Sequence, residues 1–191
     1  MLAVDIPIGL TTSTARACDV DARRFLGAPR ASSVFPAPSR AALDAASYAG
    51  ACARNLRATG HRLSRQLYGI LPKIRHVDRL LTPVMQVRVR EAHPEVIFAA
   101  LAGRRRGLAH SKKTPAGERE RLAILRRVAP AFDPETVRRA LGAARVTRDD
   151  VIDAVACLVA ARRVHAGTAL VFPRTRAPER DRRGLRMEIV A

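Results

Sequence analysis

The sequence contains no tryptophan, and aromatic residues make up only 4% of its 191 positions. That scarcity argues against a surface that stacks the bases of single-stranded nucleic acid. No apolar run approaches the roughly 20 residues that cross a bilayer, so we expect no membrane-spanning helix and no membrane partner. The three cysteines, Cys18, Cys52 and Cys157, are too widely spaced for a CxxC metal or redox site and predict reduced thiols in the cytoplasm.

Acidic residues are also scarce, with 17 Asp and Glu against 35 Lys and Arg, a net charge of +18 and a pI of about 11.6. Lysine is rarer still, since the chain has only three lysines, Lys73, Lys112 and Lys113, and all its other basic residues counted here are arginines. A GC-rich genome accounts for part of the preference for arginine, but it does not explain the shortage of acids. Such an excess of positive charge favours a polyanionic partner, most often nucleic acid.

The few acids are unevenly distributed along the chain. Residues 22–77 carry ten basic side chains and one acid, Asp44, whereas the other acids concentrate near the N-terminus, around Glu91 and around Asp150. An acidic focus in a basic chain is typical of a metal-assisted phosphodiester enzyme, in which arginine binds the backbone and carboxylates hold cations. Ordinary helix capping and surface charge are the alternative for each acidic group.

Hydrophobic periodicity and turn residues predict one domain over residues 1–191, without repeats or a dividing linker. Residues 22–83 form a basic, mostly helical insertion within it. Strands are expected at 2–8, 84–91 and 185–190, the first of them buried on both faces. Helices are expected at 20–25 (a single turn), 41–57, 63–81 with a break or kink at Pro72, from Pro94 to near Gly103, 115–128, from Pro134 to near Gly142, and from Thr147 to about His165.

Asp149, Asp150 and Asp153 are the strongest local signal, because helical geometry places all three within an arc of roughly 100°. The same stripe continues through small residues, Ala156, Cys157, Ala160 and Ala161, which predicts that something packs closely over this face. The alternative is that Asp149 and Asp150 favour the helix dipole and that Thr147 pairs with Asp150 as a cap. That alternative accounts less well for Asp153, one turn further along the helix.

Asp5 and Glu91 are weaker candidates when each is considered alone. Asp5 interrupts an apolar strand, where a carboxylate is costly unless it is paired, hydrogen-bonded or metal-bound. It equally suits a strand end that caps the following turn. Glu91 ends a strand on the face of Val87 and Val89, and taken alone it is explained somewhat better as a solvated strand end.

Eight short motifs occur in order along almost the whole chain. They are Val4 to Leu10, Cys18-Asp19 with Ala22-Arg23-Arg24, Ser32 to Pro36, Ser64-Arg65-Gln66, Glu91 to Glu95, Lys113 to Gly117 with Glu120-Arg121-Leu122, Asp149 to Ala154, and Gly184 to Ile189. Each motif is weak, but the ordered series is specific. It resembles domain-of-unknown-function family 429, whose members are predicted RNase-H-like nucleases.

The resemblance implies an α/β fold with an RNase-H-like mixed sheet flanked by helices. It implies Mg²⁺ or Mn²⁺ held by acids on neighbouring strands and on the last helix. Carried onto this sequence, Asp5, Glu91, Asp150 and Asp153 are the expected catalytic acids, and Asp149 joins them as a metal ligand.

The sequence departs from the family pattern at its start, because it begins directly at the Asp5 strand. Related proteins precede this strand with a first strand that bears Gly-Val-Asp-Gly or similar and with two more antiparallel strands. The fold is therefore expected to be truncated, with its first three strands missing. A misplaced start codon is the favoured explanation; a true truncation without activity and a partner chain that supplies the strand are the others. The open edge of the Asp5 strand then becomes a surface for self-association.

The predicted function is a metal-dependent nuclease acting on nucleic acid phosphodiesters, inactive if this form is truncated. The alternative is a non-catalytic nucleic-acid-binding protein that retains the fold. DNA and RNA are not distinguished. The residues expected to contact nucleic acid are basic positions near the acidic centre: Arg62, Arg65, Lys73, Arg104, Arg105, Arg106, Lys112 and Lys113.

Overall fold

The computed structural model describes residues 1–104, 106–174 and 177–191, which form a helix-rich mixed α/β fold. Its helices and strands are, in chain order, β1 (Leu2–Val4), α1 (Ala17–Leu26), α2 (Tyr48–Thr59), α3 (Arg65–Leu80), β2 (Val89–Glu91), α4 (Pro94–Leu101), α5 (Pro115–Val128), α6 (Pro134–Ala140), α7 (Arg148–His165), β3 (Val171–Phe172) and β4 (Ile189–Val190). The mixed α/β class expected from the sequence is therefore confirmed.

Strands β1 and β2 form a parallel pair in which Val4 lies opposite Glu91. The parallel direction brings the carboxyl ends of both strands to the same edge, so Asp5 follows β1 where Glu91 ends β2. The predicted strand over residues 2–8 is longer than the observed one, because the chain turns away after Val4. The amide of Ile8 donates to the Glu91 carboxylate at 2.6 Å instead of extending the ladder.

The second edge of β1 pairs with no strand in the described parts of the chain. Leu2 is half exposed beside this edge, and Leu158 on α7 is 59% exposed. With Cys157 they line a groove of about 460 Å³ between β1 and α7. Self-association through this edge stays a prediction.

Strands β3 and β4 form an antiparallel pair, and Val190 continues beside Ala92 at the end of β2. Around this junction lies the main hydrophobic core. It contains the apolar face of α1, nearly all of α4, and the inner face of α7. A smaller core joins α2 and α3, with Leu10 and Leu43 packed between them. The first core positions the acids, and α3 lies against them from the other side.

Local capping signals predicted most helices correctly. Thr114, Asp133 and Thr147 each cap the helix that follows with a side-chain oxygen, and Pro94 occupies the first turn of α4. Helix α1 is longer than the single turn predicted from residues 20–25. Helix α3 continues through Pro72, so no break divides it. The strand predicted from residue 84 was wrong in its first half, because residues 85–87 form a 3₁₀ turn before β2.

The small residues of α7 are buried as predicted, with Ala156, Cys157, Ala160 and Ala161 each less than a tenth exposed. Their short side chains let α7 pack against α4 and β1. That packing fixes the direction in which the first turn of α7 presents its carboxylates. All three cysteines are free and buried, and no helix of the described residues is long and apolar enough to cross a membrane.

Candidate active site

One pocket of about 510 Å³ gathers most of the site residues predicted from the sequence. Helix α3 forms one wall, and the ends of β1 and β2 with the starts of α4 and α7 form the other. The predicted residues that line it are Asp5, Glu91, Asp150, Asp153, Lys73, Lys112 and Lys113. Acids separated by as many as 148 residues in the chain therefore share one cavity with all three lysines.

Asp5 stands at the carboxyl end of β1 and remains partly exposed to solvent. Its carboxylate accepts no hydrogen bond from the described residues. Partial desolvation raises the pKa of Asp5, while the nearby charges of His93 and Lys112 act in the opposite direction. Asp5 thus offers two free carboxylate oxygens at the pocket wall.

Lys112 links the two outer acids of the α7 stripe. Its ammonium nitrogen lies 2.8 Å from a carboxylate oxygen of Asp149 and 2.8 Å from one of Asp153. Burial raises the pKa of Asp153 to about 6, because it outweighs the hydrogen bond from Lys112. The second oxygen of Asp153, Oδ1, is buried and has no hydrogen-bond partner in the described structure.

Asp150 takes a different role from its neighbours, although it also lines the pocket. Its Oδ2 accepts from the backbone N–H of Thr147 at 2.9 Å and from the Thr147 hydroxyl at 2.6 Å. The Thr147 hydroxyl in turn accepts from the Asp150 N–H, which completes a capping box. These hydrogen bonds lower the pKa of Asp150. The capping interpretation weighed from the sequence is confirmed for this residue.

Glu91 is engaged by a buried arginine that the sequence did not single out. Arg16 is 2% exposed and donates to both oxygens of Glu91 at 2.7 Å. The same guanidinium binds Asp19 in a bidentate pair, and Asp19 also accepts from the Ala37 N–H. Burial nevertheless raises the pKa of Glu91 to about 7. Both Glu91 oxygens are therefore already used inside the protein.

Two further buried residues line the pocket floor and were left without a firm role by the sequence. Glu95 in α4 accepts from Arg121 in α5, and both side chains are at least nine-tenths buried. Glu95 Oε2 and Arg121 Nε have no hydrogen-bond partners in the described structure, and neither has the Nδ1 of His93. The motifs Glu91 to Glu95 and Glu120-Arg121-Leu122 contain these residues, but only the fold joins them.

Four other basic residues expected to contact nucleic acid are not among those that line this pocket. Arg62, Arg65, Arg104 and Arg106 are exposed. The guanidinium of Arg65 stacks 4.0 Å from the ring centre of Tyr48, and Arg104 lies 3.4 Å from Glu120. Arg105 falls outside the described residues. Contact between any of these arginines and nucleic acid stays a prediction.

A family model described as "Protein of unknown function (DUF429)" matches residues 1–177. The chain belongs to the DUF429 family. No curated protein and no solved structure matches this DUF429 member.

Carboxylate oxygens are the ligands that Mg²⁺ and Mn²⁺ prefer. Within the described ranges, no group of three or more His, Cys, Asp or Glu side chains is arranged as a ready metal site. Asp153 Oδ1 and the carboxylate of Asp5, which both line the pocket, are nevertheless not engaged by hydrogen-bond donors of the described structure. Glu91 does not fit in this arrangement, because Arg16 and the Ile8 N–H use both of its oxygens.

The loop that carries Lys112 and Lys113 is held tightly at both ends. Gly107 donates to the Leu26 carbonyl, and a Cβ at Gly107 would lie 2.3 Å from the Arg30 side chain. Arg30 itself donates to the carbonyls of residues 108 and 109. At the other end, a Cβ at Gly117 would lie 1.9 Å from the Ser111 carbonyl oxygen. The DUF429 protein thus positions its paired lysines on a fixed loop.

Substituting Gly117 with alanine should destabilise the protein by about 1–3 kcal/mol, because the new methyl group overlaps backbone that has little room to shift. Gly69 provides the matched control, since it lies in α3 and a Cβ added there would meet nothing within 4 Å. There the same change should stabilise by up to about 1 kcal/mol through helix propensity. Urea denaturation measures the change in the free energy of unfolding for both variants. Equal effects at the two glycines would contradict the tight packing of the lysine loop.

Proposed function

We propose that this protein is a metal-dependent nuclease that hydrolyses nucleic acid phosphodiesters on an RNase-H-like framework. The observation that carries the proposal is the convergence of Asp5, Asp153 and three lysines in one pocket of a chain with a net charge of +18. The parallel β1–β2 pair, with acids at its carboxyl end and α7 packed across it, supports the RNase-H-like interpretation. That interpretation remains an analogy of fold.

In this proposal, Asp5, Asp149 and Asp153 hold Mg²⁺ or Mn²⁺. A cation bound there supplies positive charge to the phosphate and lowers the pKa of a water molecule. Lys112 offsets the repulsion between Asp149 and Asp153. Asp150 anchors the first turn of α7, and Arg16 fixes Glu91 beside the end of β2. The arginine-rich exterior attracts the polyanion.

The test is cleavage of single-stranded and double-stranded DNA, RNA, and an RNA–DNA hybrid, with Mn²⁺, Mg²⁺ or a chelator. We expect cleavage only with a cation and a loss of about 100-fold or more in Asp5→Asn. This substitution removes a charge without breaking a hydrogen bond of the described structure. Asp133→Asn is the control, because Asp133 caps α6 outside the pocket and asparagine caps equally well.

A second candidate function is nucleic acid binding without catalysis. It is favoured by the neutralisation of the acids within the protein, since Arg16 covers Glu91 and Lys112 covers Asp149 and Asp153. Salt-dependent binding of the four nucleic acids, with no cleavage under any cation condition, would replace the nuclease proposal with this one. Cleavage that is unchanged in Asp5→Asn would instead show that the pocket is not the active site.

A further inference from the structure

All three lysines of the chain line the same pocket, although arginine fills the other 32 basic positions. Lys73 comes from α3, whereas Lys112 and Lys113 come from the loop before α5. A general preference for arginine explains the 32 positions, but it does not explain why the exceptions meet in one cavity. The pocket holds every lysine of the chain, together with Arg16, Arg30 and Arg121 in its lining.

The relevant difference between the two side chains is geometric. A lysine ammonium is a compact point charge, whereas a guanidinium is a broad plane that suits bidentate partners. Lys112 uses this compactness to lie 2.8 Å from two carboxylates. Lys73 and Lys113 are exposed and form no ion pair within the described structure. They therefore line the pocket with two ammonium groups that no acid of the described structure neutralises, and a lysine ammonium binds phosphate as a point charge.

The pocket also has surfaces that suit a nucleobase. Ile70, Phe35 and Pro7 contribute apolar walls, and Phe35 is 37% exposed. On the floor, Glu95 Oε2 and Arg121 Nε are buried polar atoms without partners. A volume of about 510 Å³ lies within the roughly 300–1,000 Å³ of small-ligand sites, enough for about one nucleotide.

We propose that this pocket binds a single nucleotide unit, with its phosphate on Lys73 and Lys113 and its base against the apolar wall and the Glu95–Arg121 floor. The unit is a nucleoside monophosphate, either free or at the phosphorylated end of a strand. The inference rests on the proposed nuclease function only for what happens after binding, and it narrows the substrate of that function to strand ends.

Isothermal titration calorimetry with adenosine monophosphate, in the presence of a chelator, tests the binding step without cleavage. Parallel titrations use inorganic phosphate and a six-nucleotide DNA strand with either a 5′-phosphate, a 3′-phosphate or neither. We expect adenosine monophosphate to bind more tightly than inorganic phosphate, and one phosphorylated strand to bind more tightly than the unphosphorylated one. A preference for the free nucleotide over every strand would assign the pocket to the free form.

The variant Lys73→Met/Lys113→Met should weaken binding of adenosine monophosphate about 100-fold or more, because it removes two charge-assisted hydrogen bonds to the phosphate. The control is Arg57→Met/Arg79→Met, which removes the same charge from exposed positions of α2 and α3 outside the pocket. We expect less than a two-fold change in the control. Lys73→Arg/Lys113→Arg should weaken binding too, because a broad guanidinium replaces the compact ammonium, and full affinity in this variant would contradict the requirement for lysine.

Equal weakening of binding by Lys73→Met/Lys113→Met and by Arg57→Met/Arg79→Met would overturn the proposal, since it would show attraction by net charge alone. Absence of adenosine monophosphate binding would also overturn it, as would full affinity in the Lys→Met pair. These results are distinct from failure of the nuclease proposal. Nucleotide binding without cleavage would reject only the nuclease, and cleavage without nucleotide binding would reject only this inference.

Discussion

Replacing Arg16 with methionine should lower the free energy of unfolding by about 3–5 kcal/mol, a large part of the stability of a domain of this size. The guanidinium is almost completely buried and binds both Asp19 and Glu91. Methionine fills much of the volume but leaves two buried carboxylates without a counter-ion. Urea denaturation followed by circular dichroism should show a lower midpoint or a chain that is unfolded in buffer.

The partners of Arg16 provide the decisive control. In Arg16→Met/Asp19→Asn/Glu91→Gln all three charges are gone, and a buried ionic group replaced as a whole is often neutral in stability. We therefore expect the triple variant to recover at least half of the loss. Arg16→Lys should not recover it, because one ammonium cannot reproduce the bidentate contacts to both acids. A triple variant as unstable as Arg16→Met would show that Arg16 contributes mainly by packing.

The role of Glu91 illustrates what the sequence could not reveal. Its position at the end of a strand was predicted, and so was its place beside Asp5. Its partner Arg16 lies 75 residues earlier, in a Ser- and Thr-rich segment with no periodic signal. Only the completed fold brings the two together. For this reason the sequence predicted a free metal ligand where the structure has a buried ion pair.

Helices were predicted well where the signal is local. A threonine or an aspartate before a proline predicted the starts of α5 and α6, and a threonine before two acidic residues predicted the start of α7. All three starts were correct to within a residue. Strands were predicted less well, because an apolar run does not reveal where pairing stops. The run from Leu2 to Ile8 pairs only as far as Val4, and the Ile8 N–H then binds a side chain.

The α7 stripe was predicted as a unit, yet its three acids behave differently. Helical spacing correctly placed them on one side of the first turns. The sequence could not show that Lys112, which lies 41 residues before Asp153, would bind the outer two acids. It did show that Thr147 and Asp150 suit a capping box, and the hydrogen bonds confirm this. Local spacing thus predicts geometry, whereas the charge state depends on distant chain segments.

Replacing Asp153 with asparagine should make the protein more stable at pH 7 and less active as a nuclease. The pKa of Asp153 is raised by burial from 3.8 to about 6, so the folded state binds this proton more tightly than the unfolded state. The contribution of Asp153 to stability is therefore most favourable below about pH 4 and is lost as the pH rises to about 6. Asparagine never ionises, so Asp153→Asn avoids this loss of stability. The expected gain in the free energy of unfolding at pH 7 is about 1–3 kcal/mol once partial exposure is allowed for.

Asp150→Asn should show the opposite dependence on pH, although it lies only three residues away. Hydrogen bonds from Thr147 lower the pKa of Asp150, so its ionised form stabilises the fold above the unfolded pKa, and this contribution is lost at low pH. The variant should thus be less stable than the wild type at pH 7, and the difference should shrink as the pH falls below about 4. Urea denaturation in a chelator from pH 3 to pH 7 measures both differences.

If Asp153 serves function and destabilises the fold, Asp153→Asn should raise the free energy of unfolding and abolish cation-dependent cleavage. A purely structural Asp153 would lose stability at pH 7, because its ion pair with Lys112 would then outweigh its burial. The sign of the change at pH 7 therefore distinguishes the two roles without any knowledge of the substrate. Asp150 provides the internal reference, since its capping box makes it the structural member of the same stripe.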